Sequence, residues 1–136
     1  MYERTKWFRV GAWAWIATGA GHLATAALVA SRPETPESSR AMAAMREHGI
    51  ELLGLKRSLA DLDLGMSLVM GVALLFAGAL CLLVPEVTRK LAGLALVASL
   101  VALGLSAWLL PVPPIVLFAA ACLAFGWTLV KPEPRR

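Results

Sequence analysis

An imidazole and a carboxylate are the two groups in this chain whose types suit acid–base chemistry near neutral pH. His22 lies within Val10 to Ala30, a run with no charged side chain, in the stretch Ala17-Thr18-Gly19-Ala20-Gly21-His22-Leu23-Ala24-Thr25. Asp63 stands at the start of a second apolar run, four residues before Ser67. An imidazole tuned by burial beside an aspartate moves protons at neutral pH. Ionisable groups in membrane-length runs are costly and usually face a protein interior or a water-filled cavity. The plainer reading is that a backbone carbonyl or a threonine satisfies His22 as a packing residue.

Trp15, Thr18, His22 and Thr25 follow one another at spacings of three, four and three, which places them on one stripe of a helix. Beside it, Ala17, Gly21 and Thr25 make a small-residue stripe that permits close helix contact, so the polar groups alongside are expected to face inward. The second run opens with Leu55-Lys56-Arg57-Ser58-Leu59-Ala60-Asp61-Leu62-Asp63-Leu64-Gly65-Met66-Ser67. Arg57 and Asp61 are four apart and suited to a helical ion pair. Acids at a helix start also meet the positive end of its dipole. Asp61 and Asp63 are thus either structural, capping the span with Arg57 neutralising one of them, or lining for a pocket.

Other chemistries fare less well. The two histidines and scattered acids form no His-Glu-x-x-His pattern, so neither a metal site nor a cofactor is expected. Cys81 and Cys122 have no base nearby in sequence, and read as small apolar core residues without a disulfide.

The elements that must position these groups follow from composition. Of 136 residues, 59% are hydrophobic and 16% charged, with mean hydropathy +0.71. A soluble domain carries about a quarter charged residues. Apolar runs give spans at about 10–30, 64–84, 91–110 and 112–130, against the roughly 20 residues that cross a bilayer. The expected fold is all-α: an integral membrane four-helix bundle forming one domain over 1–136. Arg4, Lys6 and Arg9 before an apolar run ending Leu28-Val29-Ala30 also resemble a secretory signal. That run is too long for one and carries Trp13, Trp15 and His22, so a retained span is expected.

Lys and Arg accumulate in cytoplasmic segments. One set of span ends carries Arg4, Lys6, Arg9, Arg89, Lys90, Lys131, Arg135 and Arg136. The other carries Arg32, Arg40, Arg46, Lys56 and Arg57 among six acids. Both termini are therefore expected in the cytoplasm, with Trp7 and Trp127 near the inner interface and Trp108 near the outer one. The net charge of +4 describes orientation and gives no support to nucleic-acid binding.

The long connection between spans one and two begins with a helix start, Thr35-Pro36-Glu37. Ala41, Met42, Met45, Leu52 and Leu53 then recur at helical spacing, which predicts an amphipathic helix over about 36–57 on the outer face, with Gly49 and Gly54 marking a bend. It reads as a structural lid or, more sharply, as a gate over a site. With span one running outward, His22, Asp63, Ser67 and Ser106 all fall in the outer half of the bundle. The expected site has His22 and Asp63 in catalytic roles. Trp15, Thr18, Thr25, Arg57, Asp61, Ser67 and Ser106 bind ligand, with His48 or Glu51 contributing from above. Gly71, Gly78, Gly93, Gly104 and the alanines 119–121 and 124 read as packing positions, and Ser99 and Ser106, seven apart, share a face.

Gly21-His22 in span one and Arg57-Ser58-x-x-Asp61-x-x-x-Gly65-x-Ser67 opening span two resemble a pattern of small bacterial four-span membrane proteins, and the overall plan is loosely similar to DoxX-like proteins. The resemblance implies a four-helix bundle in the bacterial cytoplasmic membrane, with no activity to carry over. Small multidrug transporters share the size and span count, but place a glutamate within span one; here Glu3 precedes it.

Three functions fit these residues. The first is binding or transformation of a membrane-soluble molecule such as a quinone, isoprenoid or sterol-like lipid. The second is an accessory or assembly subunit of a larger membrane complex, or a homo-oligomer. The third is a small transporter coupled to protons through His22 and Asp63.

Overall fold

The computed structural model describes residues 2–130, apart from the side chains of Tyr2, Glu3 and Leu52. Lys131, Arg135 and Arg136, which entered the charge asymmetry, lie outside the described residues. Along the chain run α1 (Tyr2–Ser31), α2 (Pro36–Glu47), β1 (Gly49–Leu52), β2 (Leu55–Ser58), α3 (Leu59–Leu83), α4 (Arg89–Leu109) and α5 (Val112–Val130). Among them α3, α4, α5 and Arg4–Ser31 of α1 are long and apolar enough to cross a membrane.

Local chemistry sets the helix ends. Thr35 Oγ1 accepts from the Ser38 amide at 3.2 Å while Ser38 Oγ accepts from the Thr35 amide at 2.9 Å, a reciprocal cap ahead of Pro36. Ser58 and Asp61 repeat that device at the start of α3, and Thr88 Oγ1 takes the Leu91 amide at the start of α4. Pro113 and Pro114 fall in the first turn of α5, where missing amide donors cost nothing.

The helix expected over 36–57 is shorter. It stops at Glu47, and 49–58 form an antiparallel hairpin with Leu52 opposite Leu55. The turn explains why: Leu53 at φ 53° and Gly54 at φ 78° both occupy the left-handed region, which breaks a helix and suits a two-residue hairpin loop. A leucine held there costs roughly 1–2 kcal/mol. No residue of α2 is buried.

The helices pack in the order α3, α1, α5, α4, and the two hairpin-like halves α1/α3 and α4/α5 meet along α1 and α5. The termini of the described chain share one end, and the 32–58 connection lies at the other. The α1/α3 contact is set by glycine. A Cβ on Gly19 would fall 2.7 Å from the Gly71 carbonyl oxygen, and one on Gly78 would fall 2.8 Å from that of Ala12. Gly71 and Gly78 thus pack as expected. The Ala17, Gly21 and Thr25 stripe does not: all three are exposed, and a Cβ on Gly21 would meet nothing within 4 Å. Gly19, about half a turn away, takes the contact instead. A Cβ on Gly93 or Gly104 would likewise meet nothing within 4 Å among the described residues, so neither makes the close approach expected of it.

Burial is inverted relative to a protein folded in water. The buried set holds Ala12, Ala14, Ala92, Ala95, Ala121 and Ala124, three phenylalanines, and Thr18, Ser99, Ser106 and Thr128. Leu64, Met66, Val69, Phe76, Leu94, Val97 and Leu123 point outward. Contiguous exposed apolar surface of this extent suits a lipid exterior, and small residues inside let backbones approach.

Candidate functional site

Two layers of side chains cross the joint between α1, α4 and α5. The layer nearer the termini is fully described by its contacts. Trp15 Nε1 donates to Ser99 Oγ at 2.9 Å, and Ser99 Oγ in turn donates to the Ala95 carbonyl at 2.8 Å. The Trp15 ring meets Phe125 edge-on, with centroids 5.4 Å apart, and Phe8 closes on Phe125 at 5.3 Å. Phe125 fits because Gly11 lies against it: a Cβ there would stand 2.6 Å from the ring.

Seven residues further on, two helical turns or about 10.5 Å, lies the second layer. α1 and α4 run parallel, so the Trp15–Ser99 bond fixes a register in which His22 and Ser106 stand at one height. α5 runs the other way, and the same step takes Phe125 to Phe118. Ser106 is 1% exposed and Phe118 5%. His22 is half-buried, yet its Nε2 is shut off from solvent and has no hydrogen-bond partner among the described residues. Thr18, between the layers, is buried and donates to the Ala14 carbonyl at 2.8 Å.

The remaining expected site residues separate from this layer. Gly19 against Gly71 and Ala12 against Gly78 put His22 level with Leu68 of α3. Asp63 is then about 7 Å closer to the hairpin end, and its side chain is exposed. Ser67 is half-buried near the height of Leu23. Thr25 is exposed and donates to its own helix at the Gly21 carbonyl, 2.8 Å away.

Asp61 serves the cap of α3, accepting from Ser58 Oγ at 2.7 Å and from the Ser58 amide at 3.3 Å. Arg57 lies in β2 opposite Ile50, outside the helix, so the helical i,i+4 pairing expected for Arg57 and Asp61 has no helix to act through. His48 and Glu51 are exposed. His48 ends α2, and its carbonyl accepts the Leu59 amide at 2.9 Å, while Glu51 sits across from Lys56.

The structure thus brings Trp15, Thr18, His22 and Ser106 to the joint and leaves Asp63, Thr25, His48, Glu51, Arg57 and Asp61 away from it. Sequence reasoning missed Ser99, Phe118 and Phe125 as members. The signal was the shared seven-residue step of 15 and 22, 99 and 106, 118 and 125.

Two surface concavities lie elsewhere, one on α3 beside Leu62, Gly65, Met66, Val69 and Met70, the other on α1 beside Thr5, Lys6, Arg9, Val10 and Trp13. Cys81 and Cys122 are free, half-buried thiols. Among the described residues no three His, Cys, Asp or Glu side chains gather closely enough to hold a metal ion. In the second layer the register sets an imidazole on α1 and a buried hydroxyl on α4 at one height, with buried Phe118 of α5 at the same step. Compared with models of protein families, with curated proteins and with solved structures, the chain matches none of them.

Proposed function

We propose that this multi-pass membrane protein holds the polar head of a membrane-soluble molecule at the His22–Ser106 layer, in the outer half of the bundle. The charge asymmetry supports cytoplasmic termini, and a bacterial inner membrane is what the resemblance to small four-span proteins implies. One observation carries the reading: in two layers of the same plan, the indole nitrogen has its partner and the imidazole Nε2 has none. A buried polar atom without a hydrogen bond costs about 1–3 kcal/mol, which a hydroxyl or carbonyl from a ligand would remove. His22 is half-buried, so part of its ring faces the surrounding lipid while Nε2 is enclosed, and a ligand head would reach Nε2 by a local opening of the layer. A quinone, isoprenoid alcohol or sterol-like lipid has the required single polar head on an apolar body.

The exposed Ala17, Gly21 and Thr25 stripe favours a second reading, an accessory subunit that docks α1 onto another membrane helix. Proton-coupled transport through His22 and Asp63 draws no support from an exposed Asp63.

Mass spectrometry of small molecules co-purifying with the wild type, His22→Ala and Asp63→Asn tests the proposal. The expected result is a species retained by the wild type and Asp63→Asn but reduced at least tenfold in His22→Ala. Equal content in all three would remove His22 from any site.

A further inference from the structure

The β1–β2 turn carries leucines where neither backbone nor burial favours them. A two-residue loop with both residues in the left-handed region is normally Asn-Gly or Gly-Gly. Here Leu53 takes the first position at φ 53°, and its side chain is 104% exposed. Leu55, the first residue of β2, is also exposed. Lys56 and Arg57 follow directly, and both are exposed. Among the described residues nothing covers the two leucines, and in water an asparagine would serve the turn better.

Position supplies the occupant. Ser58 ends β2 and caps α3, one of the helices apolar enough to span a membrane, and the Leu59 amide bonds back to His48 at the base of the hairpin. The hairpin therefore begins where α3 would leave the bilayer. Its four-residue strands reach about 13 Å, more than the depth of one headgroup layer, so the turn is long enough to lie along or into that layer.

We propose that the Leu53–Gly54 turn is an interfacial anchor, with Leu53 and Leu55 among the upper acyl carbons of the adjacent leaflet and Lys56 and Arg57 at phosphate level. The anchor fixes where α3 enters and holds the 32–58 connection down on the membrane face. This inference goes beyond the ligand reading of the His22 layer and needs only that α3 span the membrane.

The test uses the full chain with Cys81→Ala and Cys122→Ala, carrying a single environment-sensitive fluorophore on Leu53→Cys or, as a water-facing reference, on Glu37→Cys of α2. Both are reconstituted in phosphatidylcholine vesicles with phosphatidylglycerol, with brominated lipids as quenchers. The expected result is blue-shifted emission at position 53 and at least twofold stronger quenching than at position 37. A probe on Leu55→Cys should lose most of its quenching when Leu53→Asn is added, a change that suits the turn and keeps the hairpin. Emission at position 53 as red-shifted and unquenched as at position 37 would overturn the proposal. So would self-quenching between labelled copies in place of quenching by lipid, which would assign the turn to a second copy of the chain.

Discussion

The two layers at the joint differ in one side chain of three, and the proposed ligand site rests on that difference. Both have a serine on α4 and a phenylalanine on α5. The layer nearer the termini puts Trp15 between them, fills the space with a large ring and satisfies its only polar atom with Ser99. The other has His22 at the matching step of α1, a smaller ring with two polar nitrogens, and its Nε2 is enclosed with no hydrogen bond among the described residues. Indole can only donate, and one hydroxyl completes it; imidazole also accepts, and its second valence is open to a visitor. One layer is a rivet and the other a socket.

The sharpest way to break this contrast is to remove the rivet. Trp15→Ala takes away the ring that bridges α1 to α4 and packs on Phe125. It should cost about 3–5 kcal/mol in unfolding from mild detergent, enough to leave much of the protein unfolded. A smaller loss is expected from Ser99→Ala, about 1–3 kcal/mol, because the indole N–H is then stranded inside the bundle. Ser106→Ala in the same assay serves as its partner and should change stability far less.

The smallest effect carries the opposite sign. His22→Phe removes an unbonded polar atom and should leave stability unchanged or raise it by up to about 1 kcal/mol, measured after delipidation. A clear loss there would mean that the imidazole is bonded within the protein, and the two layers would be alike after all.

Much of this was legible from residues alone. Uninterrupted apolar runs placed all four long helices, α4 and α5 within two residues of their ends, while α1 and α3 begin eight and five residues before their runs, and Thr35-Pro36-Glu37 announced α2. The stripe of Trp15, Thr18 and His22 was visible from spacing, and so was the shared face of Ser99 and Ser106. The hairpin was hidden because Leu52-Leu53-Gly54-Leu55 fits a helical apolar pattern, and only the left-handed backbone at Leu53 decides otherwise. Asp63 was credited with a site because sequence gives depth along a helix but not which neighbour the helix faces. α3 packs on a different face of α1 from α5, about a quarter turn round, and Asp63 is exposed, so similar depth did not bring it to His22. The choice of Gly19 over Gly21 as the contact glycine has the same origin: both are small, and only the rotation of α1 tells them apart.

The order α3, α1, α5, α4 also has a consequence for biogenesis. α1 and α3 emerge first from the ribosome and can settle as a glycine-notched pair, while α4 and α5 form a second pair joined by the short turn at Leu110 and Pro111. Neither pair alone contains a complete layer, since residues 15 and 22 belong to one and 99, 106, 118 and 125 to the other. The rivet therefore also joins two halves that are each contiguous in sequence, and the proposed socket is complete only when they have met.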